Sequence, residues 1–238
     1  MAVIKGGRAI YGADIGIVML DCRFPRPLGD PGNARSFSYP VQYEIVELAE
    51  TEALTKQGTE EALRKLFEAA GRLEKRGCKS IATSCGLLVP YQEQLREKLT
   101  IPVVSSAILL LPLLLNMTGD GKKAAVVVSS RTEAIDDYLN GLPENQRERC
   151  VLLSMENCPE FMRGIMSFSQ PYELDTGLVE QEVINLCLEA KGREPEISLF
   201  LLECTNLAPY SRPLRERLGM PVFDIRGLID FLHSSVEL

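Results

Sequence analysis

Apolar runs alternate with helical patterns along the whole chain. Residues 14–20 (DIGIVML) form a continuous apolar run and predict a buried strand. Residues 23–33 (RFPRPLGDPGN) are dense in Pro and Gly and predict a loop. Val41, Tyr43 and Ile45 alternate with Gln42 and Glu44, the pattern of a short strand or loop edge. Over 59–76, Leu63, Leu66, Phe67, Ala70 and Leu73 repeat at helical spacing, and Gly77 supplies a stop. A strand at 80–84, a helix at 88–99, a short strand at 103–104 and an apolar helix at 107–117 follow. The second half keeps this rhythm. Strands are predicted at 124–128, 150–153, 197–202 and 222–223, and helices at 132–139, 175–190, 207–218 and 225–233. Strands apolar on both faces, separated by helices, predict an α/β fold of parallel sheets covered by helices.

An internal repeat sharpens this picture. SCGLLVPYQEQLREKLTIPV (84–103) aligns with ECTNLAPYSRPLRERLGMPV (203–222) at a constant offset of 119, and ten of the twenty positions are identical. Composition alone would match about one or two. Each copy is an apolar strand, a Cys, a helix and a Pro-led strand. The repeat predicts two pseudo-symmetric lobes, 1–118 with Cys85 and 119–238 with Cys204, and an active site in the cleft between them. The last helix is free to pack back on the first lobe. In open α/β sheets ligands bind at the carboxyl ends of strands, where both cysteines fall.

Composition narrows the function classes. The chain has 238 residues, enough for one large α/β domain or two small lobes. Its net charge of −7 opposes a nucleic-acid partner. The longest apolar stretch, 101–115, is interrupted by Pro102, Ser105, Ser106 and Pro112 and falls short of the roughly 20 residues of a membrane span. The first twenty residues lack the apolar core and cleavage site of a signal peptide. Seven cysteines without a Cys-x-x-Cys pair, and a single His, predict no metal site and reduced thiols in the cytoplasm.

The repeated cysteines carry the candidate chemistry. A thiol at a helix N-terminus feels backbone N–H groups and the positive end of the helix dipole, so its pKa is expected to fall below about 8.5. Two such thiols facing one cleft suit proton transfer at carbon. One thiolate removes a proton, the opposing thiol returns one to the other face, and no metal or pyridoxal is needed. The N–H groups after each cysteine are placed to hold a carboxylate and stabilise enolate-like charge. The other cysteines read as small buried hydrophobes, although Cys22 follows the first strand and could line the same cleft. In the loop, Arg23 and Arg26 could pair with a second substrate carboxylate, and Asn33 with the glycines at 29 and 32 could offer amides. The alternative is that this Pro/Gly-rich segment only turns the chain and its arginines are solvated. Ser129, Ser130 and Thr132 occupy the equivalent place in the second half and are candidate hydroxyl contacts.

ATSCGLL, LLECTNLAPY and the closing MPVFDI resemble the two cysteine motifs of the aspartate/glutamate/hydantoin racemase superfamily. GIVMLDCRFPRPLGDPGNARSF resembles a racemase-like branch of it. The resemblance implies two similar α/β lobes, catalysis without cofactor and a small carboxylate substrate; the sequence leaves open whether the chain forms a homodimer or higher homo-oligomer. Carried over, Cys85 and Cys204 match the catalytic pair and Thr205 matches a carboxylate-binding Thr. Asp21 and Cys22 fall where glutamate racemases have Asp-Ser. Ser84, Gly86 and Asn206 flank the cysteines as binding candidates. Cys85-Gly86-Leu87 stands in place of Cys-Asn-Thr, and Cys204-Thr205-Asn206 in place of Cys-Thr-His, so the chemistry carries over and glutamate itself does not. The expected activity is racemisation or epimerisation of an aspartate- or glutamate-like carboxylate. The alternatives are decarboxylation or cis–trans isomerisation of a small dicarboxylic acid, and carboxylate binding without catalysis.

Overall fold

The computed structural model describes residues 6–47, 58–167 and 173–236. Two four-stranded sheets share one topology. In the first, β1 (Ile15–Leu20), β2 (Val41–Val46), β3 (Ser80–Thr83) and β4 (Val103–Val104) lie in the order β2-β1-β3-β4. In the second, β5 (Lys123–Val128), β6 (Cys150–Ser154), β7 (Ile197–Leu202) and β8 (Val222–Phe223) lie in the order β6-β5-β7-β8. Every pairing is parallel, with Ile17 opposite Ala82 and Val126 opposite Leu201.

The double-sided apolarity of the strands has a direct explanation. Ile15, Ile17 and Met19 of β1 join Ala124, Val126 and Val128 of β5 in one core shared by the two sheets. Their alternate neighbours turn outward: Val18 and Leu20 enter a core under the first helix, and Ala125 and Val127 enter a separate one in the second half. Each sheet is therefore covered on both faces.

The first helix, α1 (Glu60–Arg76), obeys its end signals. The Thr59 hydroxyl accepts from the Ala62 amide, Lys75 and Arg76 occupy the last turn, and Gly77 closes it at φ 101°. Leu66, Ala69, Ala70 and Leu73 face β1 and β2. Fully burying each leucine contributes roughly 1.5–3 kcal/mol.

Three of the expected helices start differently. Each begins as a 3-10 segment, Gly86–Tyr91, Ala107–Leu110 and Thr205–Tyr210, before continuing as α2 (Gln92–Lys98), α3 (Leu111–Met117) and a later helix, Ser211–Leu218. Pro90 and Pro209 lie inside their 3-10 segments and Pro112 in the first turn of α3, and none has an N–H to return an α-helical bond to Gly86, Thr205 or Ile108. Then come α4 (Glu133–Asn140), a short α5 (Glu144–Arg147), α6 (Thr176–Arg193), α7 (Ser211–Leu218) and α8 (Ile225–Ser234). A helical turn at Pro159–Phe161 running into a π-turn at Met162–Met166 was not foreseen. C-terminal α8 packs on β1 and β3 of the first sheet. There the Tyr39 hydroxyl donates to Asp230 at 2.7 Å, and the Tyr39 and His233 rings stack at 3.5 Å. Among the described residues no helix is long and apolar enough to cross a membrane.

Candidate active site

The carboxyl ends of β3 and β7 meet where the two halves touch. Ser84, Cys85 and Gly86 leave β3, and Glu203, Cys204 and Thr205 leave β7. The Thr205 hydroxyl donates to the Ser84 carbonyl at 2.5 Å, tying one motif to the other. The Ser84 hydroxyl accepts from the Leu20 amide at 3.1 Å, which fixes the first motif against β1. Each cysteine stands at the N-cap of its own 3-10 turn, where the Leu87 backbone lowers the pKa of Cys85 and the Asn206 backbone that of Cys204. Ser129, just past the end of β5, is buried and lowers the pKa of Cys204. The two thiols are near enough that charge on Cys85 raises the pKa of Cys204.

The thiols are not acidified as expected. Burial pushes Cys85 up to about 12, and the adjacent Glu203 charge adds to it. Burial, then Glu203, pushes Cys204 up further. At both positions the cost of burying a charge outweighs the lowering by the backbone of the turn. Burial therefore favours the neutral thiol at both positions.

Glu203 is the residue that sequence reasoning missed. It is 1% exposed, and burial raises its carboxyl to about 8. A Cβ at Gly86 would overlap its Oε1 and lie 2.5 Å from its Cδ and 2.6 Å from its carbonyl oxygen. Position 86 is thus glycine because Glu203 fills the space beside it. The departure from Cys-Asn-Thr and the acid before the second cysteine are one feature. A visible signal existed: an acid closes the otherwise apolar run ISLFLL.

The loop after β1 closes over the second motif. Gly29, at φ 102°, lies against Pro209, where a side chain would come within 2.6 Å of the Pro209 Cα. Arg26 bonds Asp30 at 2.9 Å, with its guanidinium 4.5 Å over the Phe24 ring, and its charge reaches Cys22 and Cys85. Asn33 bridges the loop, donating to the Arg26 carbonyl at 2.9 Å and accepting from the Arg35 amide at 3.1 Å. Arg23 is 69% exposed and pairs with Asp21 at 3.4 Å. Burial raises the Cys22 thiol, whose charge Cys85 feels. Ser130 and Asn206 are half-buried, and the Thr132 hydroxyl is buried without a partner. Among the described residues no cluster of three or more His, Cys, Asp or Glu could hold a metal ion.

Two like-ordered parallel sheets, with a cysteine leaving the third strand of each toward the other, define a two-lobed α/β protein of duplicated design. The chain belongs to the Asp/Glu/hydantoin racemase family, whose model matches residues 40–226. It is 28% identical over 231 residues to a dimethylsulfoniopropionate lyase of Durusdinium sp. clade D, covering 92% of this chain and 76% of that one. It is 30% identical over 240 residues to dimethylsulfoniopropionate lyase 5 of Emiliania huxleyi (strain CCMP1516), covering 93% of this chain and 45% of that one. The chain thus spans less than half the length of the latter relative. Allantoin racemase from Klebsiella pneumoniae shares the fold at a TM-score of 0.59 and 18% identity, covering 93% of this chain and 87% of that one.

Proposed function

We propose that this chain is a cofactor-independent enzyme that takes a proton from the carbon beside a carboxylate, with Cys85 and Cys204 as proton carriers. We further propose that the reaction is an elimination, cleavage of dimethylsulfoniopropionate or a closely similar onium-substituted propionate. One observation carries the first part: the Thr205–Ser84 bond joins the two motifs, and the two thiols sit within electrostatic reach of each other. The second part is supported by the lyases that resemble this chain over more than nine-tenths of its length.

The chemistry balances with the groups present. A thiolate takes the α-proton and becomes a thiol. The C–H electron pair becomes the Cα=Cβ double bond, and the Cβ–S bond breaks. The sulfide leaves neutral with its electron pair, and acrylate keeps the carboxylate. Backbone N–H groups of the two 3-10 turns stabilise charge that develops on the carboxylate in the transition state. The opposing thiol donates a hydrogen bond to the substrate carboxylate as it gains enolate-like charge, and the first thiol then returns its proton to solvent, so both cysteines are used. A racemase of an aspartate- or glutamate-like acid shares the first step and differs only in returning the proton to carbon, and the family fold favours it as the second reading.

The test is to incubate purified protein with dimethylsulfoniopropionate, measuring dimethyl sulfide in the headspace and acrylate by NMR. Parallel samples hold L-aspartate and L-glutamate in deuterated water. Equal amounts of sulfide and acrylate are expected. Loss of the amino-acid α-proton signal without sulfide release would assign a racemase instead.

A further inference from the structure

We propose that Glu203 reads the charge of the substrate: its buried carboxylate selects molecules that carry an onium cation, sulfonium or quaternary ammonium, together with their carboxylate, and it rejects dicarboxylates. The assignment rests on the reading that the substrate sits between Cys85 and Cys204.

Three observations point to it. Position 203 corresponds in the repeat to Ser84, whose hydroxyl satisfies a strand amide at 3.1 Å, so a small neutral residue is enough for the structural task. Glu203 is instead a carboxyl of which one oxygen, Oε2, is buried without any hydrogen-bond partner. Its other oxygen accepts only a long bond, from the Ser106 hydroxyl at 3.4 Å. Among the described residues no Lys, Arg or His forms an ion pair with it. Burying a carboxyl without a counter-charge is costly, and a purely structural position would lose it readily. Finally, the carboxyl lies against Gly86 and raises the pKa of both Cys85 and Cys204, so it sits at the reacting centre.

The groups that face it decide how it behaves. They are the Cys85 thiol from the end of β3, the Cys204 thiol from the end of β7 and the Ser106 hydroxyl beyond β4. Arg26 and Cys22 lie farther out, toward Cys85. None supplies a full positive charge at the carboxyl, and burial holds Glu203 protonated up to about pH 8. An arriving onium group supplies that charge and drives the proton off. Binding of the cation is therefore linked to release of a proton below about pH 8 and tightens as pH rises. A second substrate carboxylate meets the opposite linkage, and its affinity falls as Glu203 ionises.

The test is isothermal titration calorimetry between pH 6 and 9 with three probes: 3-(trimethylammonio)propionate, its isostere without the cation, 4,4-dimethylpentanoate, and glutarate. The wild-type protein should prefer the onium by about tenfold or more at pH 8.5. Onium affinity should rise and glutarate affinity fall between pH 6.5 and 8.5, with proton release on onium binding visible as a dependence on buffer ionisation enthalpy. In Glu203→Gln the three affinities should converge and lose their pH dependence. An unchanged onium preference in Glu203→Gln overturns the proposal. If that variant fails to fold, wild-type onium binding without proton release below pH 8 overturns it equally. The binding readout separates this proposal from the reaction: Glu203-dependent onium binding without sulfide release would sink the elimination and leave the charge reader standing.

Discussion

Replacing Glu203 by Gln should change how stability depends on pH. The folded protein holds this carboxyl at about 8, whereas its ordinary value is 4.5. Below about pH 4.5 the group is protonated in folded and unfolded chains alike, and its native environment costs nothing in linkage. Between 4.5 and 8 the unfolded chain has released the proton and the folded chain still holds it. Wild-type stability therefore falls as pH rises through that window, by about 1.4 kcal/mol per unit. The total is roughly 4–5 kcal/mol, and it is complete once pH passes the folded value. Gln does not titrate and escapes this loss. Its amide sits where Oε2 has no partner, so the variant carries a constant penalty of about 1–3 kcal/mol at every pH. The diagnostic is thus the slope rather than the offset. Calorimetric melts of both proteins at pH 5, 6, 7, 8 and 9 should show the variant gaining on wild type up to pH 8 and levelling beyond. At about 2–4 °C per kcal/mol for a chain of this size, the relative gain in Tm is roughly 8–20 °C. A difference in Tm that stays constant from pH 5 to 9 would refute the reasoning.

Arg26→Ala leaves Asp30, 1% exposed, without its ion-pair partner and should cost about 3–5 kcal/mol in denaturant unfolding, whereas exposed Arg23→Ala should stay within about 0.5 kcal/mol. Equal effects of the two substitutions would show that the loop is not pinned by the Arg26–Asp30 pair. Because burial holds Cys85 near 12 and Cys204 higher, kcat/KM should climb from pH 7 to 9 as the thiolate fraction grows, about tenfold per unit at most. A profile that falls over this range would mean that the base is not one of these thiols.

The strands and the repeat were legible because both are written in local patterns. Apolar runs marked the strands, and Gly77 marked a helix end through its backbone freedom alone. The cysteine positions followed from the repeat. What stayed hidden depends on contacts across the two halves. Pro90 and Pro209 were visible, but their effect on the turn after each cysteine is a hydrogen-bond fact, not a periodicity. Arg26 was legible as a candidate carboxylate ligand, whereas its bond to Asp30 needed the folded loop. Glu203 stood in plain view beside Cys204, yet its meaning required Gly86 from the other half of the chain, against which its carboxyl packs. The helix-terminus argument for acidic thiols failed for the same reason, since burial is a property of the assembled site.

The central claim is that two thiols, one from each half of the repeat, serve one reaction. Cys85→Ser and Cys204→Ser should each be assayed for sulfide and acrylate release from dimethylsulfoniopropionate at pH 8, with circular dichroism and Tm recorded on the same samples. The account predicts that each variant keeps the wild-type spectrum and loses about 10²–10⁴-fold in kcat. Wild-type turnover by either folded variant would contradict it.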